Sequence, residues 1–152
     1  MSTTGRRITA VATAATAISA GLLALPSTAS AAAPVGSCGS SYSKVGSYPV
    51  TRSWESTAGH IDVYYSRSTG KNCAITRPVA SRAGKAGNIW VCIEQTKGYA
   101  RDCDGVTKNY RYYAGPVYVS GRGQCINVSG GLNRTPGDNQ PFNGGAQKVH
   151  CG

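Results

Sequence analysis

Beyond residue 34, apolar positions come in short runs and never in the sustained i, i+3, i+4 recurrence of an amphipathic helix. The runs are 60–65, 73–77, 88–94, 108–113, 116–120, 124–128 and 147–151, rich in Val, Ile, Tyr and Thr. Turn-forming Gly, Ser and Asn separate them about every eight to twelve residues. Such side chains suit a half-buried pleated surface. The rhythm therefore predicts an all-β fold, a small antiparallel sandwich or barrel. Within 88–94, alternation places Ile89, Val91 and Ile93 on one face and Trp90 and Cys92 on the other. Within 108–113, it pairs Tyr110 with Tyr112. Two hairpins are expected, one joining 63–66 to 71–75 and one joining 117–120 to 124–126. Each has a cysteine near the start of its second strand. The stretch 129–145, S-G-G-L-N-R-T-P-G-D-N-Q-P-F-N-G-G, is dense in Gly, Asn and Pro and too long for an ordinary hairpin loop, which predicts a functional or mobile loop.

The first residues follow a different pattern. Arg6 and Arg7 precede an acid-free stretch from Ile8 to Leu25, then Pro26, then Ala29-Ser30-Ala31. This is the pattern of a secretory signal peptide over 1–31, which leaves a short linker at 32–37 and a single domain at 38–152. A membrane anchor is the weaker reading, because Thr and Ser dilute the apolar stretch and the next basic residue is Lys44. The arginine pair lacks the context of a twin-arginine signal, so general secretion is expected, and with it an extracellular or wall-retained location.

Export changes the reading of the cysteines. All six lie beyond residue 31, none in a C-x-x-C pair, and the chain has two histidines. An even count in a small exported chain points to three disulfides, with 15 possible connectivities, and no metal or cofactor is expected. Residues 1–31 hold two of the 16 basic residues and none of the six acidic ones, so the rest carries 14 against 6, or +8. Such a charge attracts polyanions: anionic wall polymers first, with nucleic acid or acidic lipid as weaker alternatives.

Candidate chemistry is sparse. His60 with Glu55, or His60 with His150, would serve the general acid–base step of a small ribonuclease. Glu55 with Asp62, or Glu94 with Asp102, would serve a glycosidase. The D-C-D-G sequence at 102–105 lacks the remaining ligands of a calcium loop and reads as a turn. Arg77, Arg82 and Lys85 are the tightest basic grouping, expected on a flexible cationic loop. Most of the nine tyrosines are expected in the core, since the chain has one Phe. Tyr110 and Tyr112 are the expected exposed pair, able to stack on sugars or bases.

The segments G-S-C-G-S-S-Y (36–42), T-G-K-N-C (69–73), Y-Y-A-G-P-V-Y (112–118), G-Q-C-I (123–126) and the closing H-C-G (150–152) resemble the spore-associated protein A family of small secreted actinobacterial proteins. The resemblance implies bridges Cys38–Cys73 and Cys125–Cys151. Cys92 and Cys103, which the family pattern lacks, are then left to each other. It implies no catalytic residue. The function expected is a secreted, non-catalytic, spore- or cell-surface protein that binds the anionic envelope. A small secreted hydrolase, ribonuclease before glycosidase, is the alternative.

Overall fold

A computed structural model describes residues 36–53, 55–135 and 137–152. The expected signal peptide, most of the 32–37 linker, Trp54 and Pro136 lie outside the described residues. No helix among those described is long and apolar enough to cross a membrane.

Eight strands form: β1 Ser43–Val50, β2 Gly59–Ser66, β3 Lys71–Pro78, β4 Ile89–Gln95, β5 Arg101–Asp104, β6 Ala114–Ser120, β7 Ile126–Leu132 and β8 Phe142–Val149. They make two four-stranded antiparallel sheets, ordered β1-β2-β3-β6 and β5-β4-β7-β8. The fold is the all-β, disulfide-stapled architecture that the apolar pattern predicts. Period-2 alternation turns Ile61, Val63 and Ala74 of the first sheet toward Ile89, Val91, Ile93, Ile126 and Val128 of the second, and these form the core. Cys38, Cys73 and Ile75 make a second cluster with Tyr42, Tyr64, Tyr113 and Tyr118 around it. Here tyrosine rings supply apolar surface that scarce Leu and Phe do not.

Both open sides of the sandwich are stitched. On one, Thr51 and Asn143 exchange backbone hydrogen bonds of 3.0 and 2.9 Å just past β1 and within β8. On the other, edge strand β5 turns Asp102 and Asp104 toward edge strand β6. Tyr118 N–H donates to Asp102 Oδ2 at 2.8 Å and Gly115 N–H to Asp104 Oδ2 at 2.9 Å. Side-chain carboxylates thus replace the backbone acceptors that β6 would otherwise lack.

Three expectations of the sequence pattern fail, each for a physical reason. The run 108–113 is not a strand but part of the turn-rich 106–113 connection. Asp104 gathers it, accepting from the Tyr110 hydroxyl at 3.2 Å beside Lys108 at 3.5 Å. Segments 117–120 and 124–126 are not a hairpin: β6 pairs with β3, while β7 pairs with β4 and β8 in the other sheet. The 129–145 loop shrinks to 133–141, because S-G-G-L completes β7 and F-N-G-G opens β8. Glycine sits there because neighbours approach too closely for a side chain. A Cβ on Gly130 would lie 2.3 Å from Thr76 Oγ1, and one on Gly144 2.2 Å from the Pro49 carbonyl oxygen.

The bridges join Cys38 to Cys73, Cys92 to Cys103 and Cys125 to Cys151. The first holds the N-terminal segment to β3, the second ties directly paired residues of β4 and β5, and the third ties the start of β7 to the chain end.

Candidate ligand-binding face

The outer face of the second sheet carries polar side chains and an indole around a hollow. Alternation along β4 turns Trp90, Cys92 and Glu94 outward. The register sets Gly131, Ser129 and Asn127 of β7 beside them, and Cys103 and Arg101 of β5 on the other flank. Two hollows lie on this face. The first, of about 440 Å³, is lined by Asn88, Trp90, Cys92, Arg101, Val106, Asn133, Asp138, Asn139 and Pro141. The second, of about 180 Å³, is lined by Cys92, Glu94, Arg101, Asn127, Val128, Ser129 and Gln147. They share Cys92 and Arg101, so they form one groove with Arg101 at its middle. The Arg101 Nη2 donates to Cys92 Sγ at 3.3 Å. Gly131, opposite Trp90, leaves room for the indole: a Cβ there would lie 2.7 Å from Trp90 Nε1.

One wall is the 133–141 loop, which is pinned by charge. The Arg52 guanidinium donates to Glu55 Oε1 at 2.6 and 3.0 Å, to the Gln140 carbonyl at 2.5 Å and to Asp138 Oδ2 at 3.4 Å. Arg134 reaches Glu55 Oε2 at 2.7 Å. Asp138 also accepts the backbone N–H of Gln140 at 2.9 Å and of Arg134 at 3.2 Å. These donors hold Glu55, chiefly through Arg52, and Asp138, chiefly through Gln140, below the usual carboxylate range. Arg52 and Arg82 each lie 4.6 Å from the ring centre of buried Phe142.

The expected site residues do not converge. His60 is exposed on the outer face of the first sheet, opposite Arg77. His150 shares a hydrogen bond with the Tyr48 hydroxyl at 2.9 Å, and burial pushes its imidazole down. Glu55 is occupied by the two arginines. Among the described residues no histidine lies within 4 Å of a carboxylate. Glu94 faces outward while Asp102 faces β6, so that pair is also split. Arg77 donates to Asp62 Oδ2 at 3.3 Å and to the Gly36 carbonyl, from within β3. Arg82 covers Phe142, and Lys85 is exposed. The three cations are thus not one free loop. Tyr112 is exposed (66%), as expected, but Tyr110 packs against the core. Both line a smaller hollow of about 240 Å³ with Asp104, Arg111, Tyr113 and Gly115.

Sequence reasoning did not single out Trp90 or Arg101 as site residues. The signal available was the outward alternation of Trp90 with Cys92.

No family model matches the chain, and no solved structure matches it. The chain is 34% identical over 152 residues to spore-associated protein A of Streptomyces coelicolor, covering 96% of this chain and 90% of that protein. Identity at this level over nearly the full length of both proteins means that the chain belongs to the spore-associated protein A family.

Proposed function

We propose that this is a secreted, non-catalytic protein of the spore or cell surface that attaches to the anionic envelope. One observation carries the reading: the carboxylates are spent inside the fold, and the cations are not. Glu55, Asp62 and Asp138 bind arginines, and Asp102 and Asp104 bind β6, which leaves Glu94 as the carboxylate without such a partner among the described residues. Of the 14 basic residues beyond Ala31, five (Lys44, Arg52, Arg77, Lys108 and Arg134) lie within 4 Å of a carboxylate, and nine do not among the described residues. A rigid surface with this excess draws a polyanion by many weak contacts that salt screens over about 10 Å at 0.1 M. The name of the Streptomyces coelicolor relative supports a spore-surface location, and the disulfides support an oxidising one. The separation of His60, His150 and Glu55 gives the hydrolase alternative no support.

The test is co-sedimentation of the oxidised domain with actinobacterial cell walls across a salt series. Retention at low salt that falls steadily as salt rises is expected. Absence of retention at every salt concentration would overturn the mechanism.

A further inference from the structure

We infer that the groove on the outer face of the second sheet is a specific site for an anionic glycan, with a sugar ring against Trp90 and its carboxylate or phosphate on Arg101. This inference rests on the envelope-binding reading and narrows it to one site.

Three features of the groove point to a ligand of this chemistry. Trp90 presents a flat apolar face, and among the described residues its indole N–H has no acceptor. Aromatic faces of this kind stack on planar or ring-shaped ligands, and the free N–H fixes one polar contact at the ring edge. Arg101 is exposed, has no carboxylate within 4 Å among the described residues, and stands where the two hollows meet. Its planar fork suits a carboxylate or a phosphate. Asn88 lines the groove with its side-chain amide oxygen buried and without a donor among the described residues. Asn133, Asn139, Asn127 and Gln147 add amides that both donate and accept, which is what a polyhydroxylated ligand needs.

The two acidic groups of the groove do not defeat an anionic ligand. Asp138 is neutralised by Arg52 and by two backbone N–H groups. Glu94 stands opposite Arg101 in the β4–β5 register, but the Arg101 guanidinium turns back to Cys92 and no Glu94 oxygen lies within 4 Å of it. Glu94 is four residues along β4 from Trp90, or about 14 Å at the rise of a strand. That length exceeds one sugar ring and fits a short oligosaccharide. The floor is held by paired strands and the Cys92–Cys103 bridge, and the wall by the Arg52 network, so little ordering is needed on binding.

Isothermal titration calorimetry of the oxidised domain tests this with two purified probes at one fixed salt concentration. One is a phosphate-bearing teichoic acid fragment and the other a carboxylate-bearing teichuronic acid fragment; the tighter of the two identifies the acid group. Trp90→Ala and Arg101→Gln should each weaken the tighter probe about ten-fold or more. Trp90→Phe should retain most of the affinity, and Lys85→Gln, outside the groove, should change it less than two-fold. Near-ultraviolet circular dichroism shows that each variant is folded. Equal losses in Arg101→Gln and Lys85→Gln with none in Trp90→Ala would overturn the groove and leave envelope binding as diffuse charge. Binding of neither probe, with retention on whole walls, would also overturn the groove alone. Failure on walls as well would overturn both readings.

Discussion

Aspartate within a strand is usually disfavoured, yet β5 holds two, and both take backbone N–H groups of β6. Removing Asp104 strips Gly115 N–H and the Tyr110 hydroxyl of their acceptor, a loss of about 1–3 kcal/mol. Thermal denaturation of Asp104→Ala should therefore show a clearly lower Tm, with Asp104→Asn intermediate because an amide oxygen still accepts. An unchanged Tm in Asp104→Ala would remove the stitch from the account. The same group sets a pH dependence. Burial works to raise Asp104, but Gly115 N–H and the Tyr110 hydroxyl outweigh it and hold the carboxyl below its ordinary value. Asp62 is likewise held low, against burial, by Lys44, Ser47 and Arg77. A carboxyl depressed in the fold binds protons more readily when unfolded. Its stabilisation is therefore present above the unfolded pKa, about 4, and is lost as pH falls through the folded one. Melting curves from pH 6 to pH 2 should fall steeply at the acid end, and Asp62→Asn with Asp104→Asn should flatten that fall.

At the scale of elements, the sequence was most legible where β-branched residues alternate. Runs 60–65, 73–77 and 88–94 lie within β2, within β3 and almost wholly within β4, and the Ile89–Val91–Ile93 face is buried. It was least legible where tertiary contacts override local preference. β1 contains Gly46 at a bulge and Pro49 and runs along a sheet edge, so nothing in its pattern alternates cleanly. β5 is four residues long and half acidic, and its reason for being a strand lies in its pairing with β4 and in its carboxylates' bonds to β6. Glycines in β7 and β8 read as loop because their cause is a close approach by Pro49 and Thr76. The candidate groove divides the same way. The outward turn of Trp90 follows from alternation, whereas Asn133, Asn139 and Arg101 reach it from segments that only the fold brings near. Phe142 marks the consequence for packing. Assigned to a loop by composition, it is fully buried beneath two guanidiniums. Phe142→Ala should cost about 3–5 kcal/mol, read as a shift in denaturant midpoint, and a shift below about 1 kcal/mol would contradict its place in the core.

For the whole molecule, three bridges in a small sandwich contribute a large share of stability. Loops of 35, 11 and 26 residues correspond to about 3 to 4 kcal/mol each in the chain-entropy model, against about 5–15 for a typical domain. Reduction should therefore unfold the domain at or near ambient temperature, and an unchanged melting curve in excess thiol would refute this. In the proposed envelope-binding reading, the bridges would keep the surface that carries the unpaired cations folded, while the acids are spent inside. The most direct test of that account compares retention of the oxidised domain on intact cell walls with walls stripped of their anionic polymers, at one low salt concentration. Strong retention on intact walls and loss on stripped ones is expected. Equal retention on both would contradict it.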